Sequence, residues 1–520
     1  MWFSCYEKES MTDKQKEYDF VIIGSGIGGL VSAVLLALEG HSVIVLEKNH
    51  QIGGSLQVFS RDKRIFDTGV HYIGSLDEGE NLYKIFKYLG IMDDLSMKRL
   101  DDDCFDLIYF PDGSTYKHGQ GYDKFKEGLY ANFPDEKTGI DAFCDKVAEI
   151  CDFFPLYNLE DEDASSKSYV SNPDILTISA WEFVESITSD KRLQSVLLGS
   201  GLLYAGDRKT TPMYVVALIM NSYLKGSYRM LNGGSQIAKL LTKKIHQLGG
   251  LVLKHQDVES ASYDDKDVCC VRTKTGDEFF GKHFISNTHP KKTVQIFGED
   301  RFRAAYRHRL DKLSNTVSSF MLYLSFEKDT FPYMNYNMYA YTKDEVWETV
   351  DYNKAEWPEA LFICTPATKG QGEFADSMSV MAYMDYSEVE QWSETFNTIA
   401  ESGERGESYE EFKARNEEIV IKRLEKIFPD LRKSIRGVYS STPLTYKDYI
   451  GTEDGALYGI LKDHNNIMLS KINAKTRVPN LYQTGQNLVF HGILGATIGA
   501  LVTCFNFIDS KELIDKIKDA

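Results

Sequence analysis

An α/β fold is predicted for this chain by three observations. A strand, a glycine-rich turn, an apolar helix and a second strand follow one another within residues 18–48. Alternating apolar strands return at 251–285, far along the chain, and another group of strand-like segments lies within 318–383. The first two predict a Rossmann-type layer assembled from discontinuous segments. The third predicts an α+β domain with an antiparallel sheet.

Residues 19–23 read as a buried strand, Ile27–Leu38 as an apolar helix and 42–46 as a second strand ending in Glu47. Between the first strand and the helix, Gly24, Gly26 and Gly29 form G-x-G-x-x-G. These glycines serve a tight turn, close approach of backbone to a pyrophosphate, and close packing of helix on strand. The helix start offers unpaired N–H groups to phosphate oxygens, and Glu47 suits a ribose hydroxyl. The stretch 20–38 carries no charge and nearly reaches membrane-spanning length. Its glycines and the strand that follows favour a dinucleotide-binding unit over a membrane span.

The composition is that of a soluble globular protein: 42% hydrophobic and 26% charged, with a net charge of −18. At 520 residues the chain has room for several domain-sized units. The acidic balance argues against nucleic acid and against electrostatic attachment to anionic lipid. Thirty-one Tyr and 29 Phe suit an aromatic core and, in addition, a long apolar ligand channel. The eight cysteines, Cys5 among them, show no C-x-x-C and no zinc spacing, so reduced thiols in a cytoplasmic protein are expected. The first residues lack the apolar run of a signal peptide. Met11 offers an alternative start, and residues 1–17 are expected to be a disordered extension.

Along the chain, the charge runs at 101–103 and 160–163 read as solvated surface. Residues 181–224 are the greasiest region after the opening; segments 193–206 and 213–224 fall short of membrane-spanning length. A buried helix pair is the plain reading. A hydrophobic channel, or a face touching a membrane peripherally, is the functional one. The stretch 231–238 opens a helix running to about Leu248 and closed by Gly249-Gly250, a strand follows over 251–263, and further strands over 268–274 and 278–285 lead to Ser286-Asn287-Thr288. Strands are expected at 318–326, 333–341, 360–364 and 379–383, then an amphipathic helix over 409–428 stopped by Pro429. A strand and loop at 480–487 precede a last long helix starting at 491–497. The predicted organisation is a dinucleotide domain from 18–95, 225–310 and 440–520, with a substrate domain from 96–224 and 311–439.

Four separated motifs carry a resemblance: FDTGVHYIG at 66–74, YLKGSYRMLNGGSQIA at 223–238, TPLTYKDYIGTEDGALYG at 442–459 and VPNLYQTGQNLVFHGILGATIGA at 478–500. Together they resemble the FAD-dependent phytoene desaturase, carotenoid isomerase and retinol saturase superfamily, nearest to its retinol saturase branch. The resemblance implies a glutathione-reductase or amine-oxidase-like FAD domain. It places Gly24, Gly26 and Gly29 on the FAD pyrophosphate, Glu47 on the adenosine ribose, and Gly54 and Ser55 along the dinucleotide. Val258 would contact adenine through its backbone. Gly485, Gln486 and Asn487 would flank the pyrophosphate and ribityl chain, and Leu494, Gly495 and Ala496 would face the isoalloxazine. Ser55 stands where many desaturases have Arg. Gln486-Asn487 replaces an acid frequent in the C-terminal flavin motif.

The implied activity is reduction of a carbon–carbon double bond in an apolar polyene or retinoid, by hydride from flavin N5 plus a proton. Proton-donor candidates are His71, Tyr72 and His491, each of which has a plainer packing or flavin-contact reading. No second G-x-G-x-x-G follows a strand, so NAD(P)H would act transiently in the cleft, or a separate reductase or quinone would carry electrons. Alternatives within the enzyme class are a carotenoid or phytoene desaturase and a carotenoid cis–trans isomerase. The alternative outside it is a flavin-stabilised prenyl or lipid escort protein. No metal site is expected, and no feature specifies an oligomeric state.

Overall fold

The computed structural model describes residues 16–160, 171–399 and 401–520. The expected disordered extension, with Cys5 and Met11, lies outside the described residues up to residue 15, as do residues 161–163 of the second acidic run. Residues 16–17 are described, and the first strand starts earlier than read from the sequence, at Glu17, which pairs with Phe280.

Five parallel strands form the centre of the first sheet. In spatial order they are Leu251–Leu253, Val43–Leu46, Glu17–Ile23, Glu278–Ser286 and Leu481–Gln483. Every residue of Val43–Leu46 is buried, as a strand covered on both faces requires. Two antiparallel strands, Val258–Asp264 and Asp267–Thr273, lead by a meander into Glu278–Ser286. Helix Ile27–Leu38 lies over this sheet with Leu30, Val31, Val34, Leu35 and Leu36 buried. Burial of each such side chain contributes ~1.5–3 kcal/mol, which outweighs the ~1 kcal/mol that each of Gly28 and Gly29 costs inside a helix. The last long helix, Gly492–Cys504, packs against it.

The reading of 251–263 as one strand is corrected to two. His255 turns the chain with φ +59°, and the break lets the Gln256 N–H reach the Glu47 carbonyl oxygen at 2.8 Å. The interruption therefore wraps the chain around the acid at the end of the second strand.

The second sheet runs in the order Ile435–Ser441, Ser318–Phe326, Ser377–Met384, Ala360–Cys364, Asn337–Tyr341, Asp106–Tyr109, Thr115–His118. Its pairs are antiparallel except Asn337–Tyr341 with Asp106–Tyr109, which are parallel, so the sheet is mixed rather than purely antiparallel. The strand expected over 333–341 is shortened to Asn337–Tyr341. Residues before it are held instead by the buried Arg229, which donates to the carbonyl oxygens of Met334 and Tyr336.

Region 181–224 uses its apolar side chains for packing. Trp181, Leu193, Val196, Leu197, Met213 and Val216 are all buried, and helix Met213–Leu224 lies on helix Lys137–Asp152. Among the described residues no helix is long and apolar enough to cross a membrane. Among the described residues the exposed large hydrophobic side chains are elsewhere, at Phe374, Phe396, Ile399 and Met468.

Candidate functional site

One cavity of about 620 Å³ is lined by the glycine turn, the acid that ends the second strand, the loop before the last helix, and apolar side chains from 202–223 and the second sheet. The glycines can be read by what a Cβ would meet. Gly24 has φ +95°, a conformation side chains resist. A Cβ on Gly26 would lie 2.9 Å from the Asn287 amide nitrogen, and one on Gly28 2.7 Å from the Gly485 Cα. Gly29 does not line the cavity: its Cβ would lie 2.2 Å from the Gly24 carbonyl oxygen, so it serves packing of the turn. Gly54, with φ +57°, brings its backbone against Gly26. The start of helix Ile27–Leu38 carries no side-chain cap and no acid in its first turn. Its leading N–H groups thus remain for an anion.

Glu47 is buried and already well engaged. Its Oε2 accepts from the Ser25 N–H at 3.0 Å and from the Ser25 hydroxyl, and Oε1 accepts from the Asn49 N–H at 2.8 Å. A carboxylate has about four acceptor positions, so one remains toward the cavity. Glu47 accordingly fixes the glycine turn as well as facing the ligand space. Beside it, burial lowers the Lys48 ammonium below its ordinary value, against the pull of Asp257, Glu47 and Asp448. Its Nζ donates to the Asp448 carbonyl oxygen at 2.7 Å. Val258 and exposed Ser55 complete this end of the lining.

The opposite wall comes from the C-terminal segment. Gly485 (φ +94°), Gln486, Asn487, Leu494, Gly495 and Ala496 all line the cavity. The Asn487 side-chain oxygen accepts from the Ile460 N–H at 3.0 Å, so that atom also holds the neighbouring loop. His491 caps helix Gly492–Cys504 without a side-chain capping bond, and no acid occupies the first turn. The His491 Nε2 is shut from solvent with no protein partner, an orphaned polar atom in a residue of the cavity wall. Burial, aided by the charge of Lys462, pushes its pKa down to about 4.

The apolar part is walled by Leu202, Leu203, Leu218, Ile219, Met321, Phe362 and Met381, with Tyr72, Tyr223 and Tyr458 among them. His71 lies 5.3 Å from the Phe362 ring; burial, with Arg229 adding repulsion, lowers its pKa to about 4. His71 and His491 are therefore neutral at pH 7 and are weak acids there. Tyr72 is placed differently. Its hydroxyl donates to Asp106 Oδ2 at 2.9 Å and lies 2.7 Å from the Tyr339 hydroxyl, while Asn337 donates to Asp106 Oδ1 at 2.9 Å. Burial raises the Asp106 carboxyl to about 7 against these hydrogen bonds and the nearby Arg229.

Of the residues anticipated from the sequence, all but Gly29 line this one cavity. Asp106, Tyr339, Asn337, Arg229, Lys48 and the packing role of Asn287 were not anticipated. Arg229 lies within the motif at 223–238, and Asn287 within Ser286-Asn287-Thr288 at the end of a strand. Asp106 follows a run read as solvated surface, and only the parallel pairing of its strand with Asn337–Tyr341 brings it under Tyr72.

Residues 22–89 match the NAD(P)-binding Rossmann-like domain family. The chain is 29% identical to the all-trans-retinol 13,14-reductase of Rattus norvegicus, over 98% of this chain and 88% of that protein. It is 24% identical to the chloroplastic prolycopene isomerase of Arabidopsis thaliana, over 90% of this chain and 79% of the relative. Among solved structures, cyclohexylamine oxidase from Brevibacterium oxydans shares the fold with a TM-score of 0.58 at 14% identity, covering 97% of this chain and 99% of the other. The resemblance to retinol saturases and carotenoid isomerases thus extends along nearly the whole chain, and the fold is that of an α/β protein with a Rossmann-type domain. The uncapped helix starts, the crowded glycines and the orphaned His491 nitrogen fit a flavin or dinucleotide cofactor.

Proposed function

We propose that this chain, a relative of retinol 13,14-reductases and prolycopene isomerases along nearly its whole length, is an FAD-dependent oxidoreductase that saturates a carbon–carbon double bond of an apolar polyene. One observation carries the reading: a single cavity is lined both by a glycine cradle suited to pyrophosphate and by apolar and aromatic walls suited to a polyene. The retinol 13,14-reductase relatives favour the reductive direction.

Gly24, Gly26, Gly54 and Gly485 would let backbone approach the pyrophosphate, with Glu47 and Val258 toward the adenosine. Leu494, Gly495 and Ala496 would present helix N–H groups to the electron-rich edge of the ring system, where a helix N-terminus stabilises negative charge. When bound, the flavin supplies hydride exchange with carbon. The chain's part is to exclude water with Phe362, Met381 and Leu218, to orient the polyene, and to hold a proton at the Tyr72 hydroxyl. Neutral His71 and His491 serve as contacts and hydrogen-bond partners. NAD(P)H is proposed as the transient electron source, taken up in the same cleft. Peripheral membrane contact is proposed for delivery of the apolar substrate.

The test is product analysis. Anaerobic protein reduced with NADPH or dithionite is mixed with all-trans-retinol, and the product mass is read. Gain of two hydrogens supports the reductase. A product of unchanged mass with altered double-bond geometry would replace it with the isomerase reading, which the prolycopene isomerase relatives keep in play. Desaturation of a more saturated carotenoid by the oxidised protein would reverse the direction.

A further inference from the structure

The second sheet places a buried acid directly behind the tyrosine that faces the cavity. Asp106 is 1% exposed and does not line the cavity, whereas Tyr72 does. Asn337 Nδ2 donates to Asp106 Oδ1, and Arg229 fixes Asn337 by donating to its side-chain oxygen at 2.7 Å. Oδ1 is thereby committed as an acceptor, so a proton on the carboxyl belongs on Oδ2, the atom facing the Tyr72 oxygen. The Tyr339 hydroxyl, 2.7 Å from the same oxygen, has it as its hydrogen-bond partner.

We propose that Asp106 is a proton-supplying, positioning residue that acts through Tyr72, whose side chain lines the cavity, to recharge its hydroxyl. This inference rests on the reductase reading and deepens it. With Asp106 protonated, Oδ2–H and Tyr339 O–H both donate to the Tyr72 oxygen, and the Tyr72 hydrogen is freed from both partners for the substrate. With Asp106 ionised, Tyr72 donates backward to it, as the 2.9 Å contact allows. The protonation state of the acid thus sets which way the tyrosine donates.

The step balances as follows. One alkene carbon gains a C–H bond with hydride taken from reduced flavin, which is oxidised. The π pair forms the second C–H bond with the Tyr72 proton as its O–H bond breaks. The tyrosinate oxygen then takes the Oδ2 proton, leaving the Asp106 carboxylate to be reprotonated by water that refills the cavity after product leaves. Burial supports the assignment by raising Asp106 to about 7, in reach of physiological pH, and by holding the Tyr72 hydroxyl well above its ordinary value. The other titratable groups facing Asp106 are Arg229, Tyr339, Tyr223, Tyr341 and Cys104, with His118 opposite it on the neighbouring strand. His118 is held neutral by burial, its pKa near 4.

The test has one readout that needs no turnover. Infrared spectra of the holoprotein are titrated through pH 7. Asp67, whose Oδ1 accepts from the Gly234 N–H, is a second carboxyl raised to about 7 by burial, so two protonated-carboxyl bands are expected to fade together. Asp106→Asn should remove one of them. Retention of both bands in that variant would overturn the proposal.

In turnover, Asp106→Asn and Tyr72→Phe should each slow saturation on the order of 10²-fold or more, the usual contribution of a general acid. Asp106→Asn should also lose the pH limb near 7. The double variant should be no slower than either single one, because the two groups act in series. Multiplying effects, or an unchanged pH limb in Asp106→Asn, would also overturn it. Absence of wild-type reduction of any polyene, with the infrared result intact, would instead remove the function reading and this destination for the proton.

Discussion

The Cα of Gly485 lies 2.7 Å from where a Cβ on Gly28 would stand, so two glycines from opposite ends of the chain meet at the mouth of the cofactor cradle. Both partners at that contact are backbone, which cannot swing aside as a side chain can. Gly28→Ala should therefore separate helix Ile27–Leu38 from the loop at Gly485 and abolish retention of bound cofactor. Absorbance of the purified variant reads this directly. Gly40→Ala controls for a glycine with nothing within 4 Å of its Cβ and should keep the cofactor, although its φ of +86° costs some stability.

Glu47→Ala removes the acceptor for the Ser25 N–H and hydroxyl and the Asn49 N–H. Hydrogen bonds to a charged group contribute ~1.5–3 kcal/mol each, and the stranded buried donors add their desolvation cost. The expected result is destabilisation of about 3 kcal/mol or more in denaturant unfolding, with at least ~10-fold weaker cofactor binding. Glu47→Gln, which keeps one acceptor oxygen, should fall between.

Arg229 is 2% exposed and donates to Met334, Thr365 and Tyr336 carbonyl oxygens and to Asn337, with Tyr333 at 3.2 Å. Arg229→Met fills the volume but leaves those buried acceptors unmet. It should cost ~3–5 kcal/mol of stability. Arg229→Lys should recover little, because an ammonium cannot reproduce the planar fork. Thermal unfolding of the three proteins checks both statements.

His118 gives a pH-dependence with a defined sign. Its folded pKa is near 4, below the ~6.5 of an unfolded chain, so the folded state disfavours the protonated ring. Stability from its neutral form is present above about 6.5 and is lost as pH falls through 4. The stability difference between wild type and His118→Gln should therefore shift against the wild type by up to about 3 kcal/mol between pH 7 and pH 4. Asp67 and Asp106, raised to about 7, act in the opposite sense, which is why the comparison is made against the single variant.

The parts of this architecture written in local pattern were legible in the sequence. Helix Ile27–Leu38 and strands Ser318–Phe326 and Ala360–Cys364 were read with the bounds observed, because their apolar runs are strong and their ends are punctuated. The glycine turn and Glu47 were legible because backbone approach admits few residue types. Strands Asp106–Tyr109 and Thr115–His118 were not read, being four residues each and flanked by acids and turns. The first pairs with Asn337–Tyr341, a relation no local window contains, and the second is held in the sheet by pairing with the first. The proton network was hidden for the same reason: Tyr72, Asp106, Asn337, Tyr339 and Arg229 become neighbours only when the second sheet closes over the cavity.

In the proposed function, cofactor and polyene meet in one cavity for a reductive step. The most direct measurement is anaerobic stopped-flow spectroscopy of the reduced holoprotein mixed with all-trans-retinol, following the absorbance of oxidised flavin. This absorbance should return in proportion to polyene consumed, and more slowly in Tyr72→Phe. Flavin that stays bleached while the polyene is isomerised or left unchanged would contradict it.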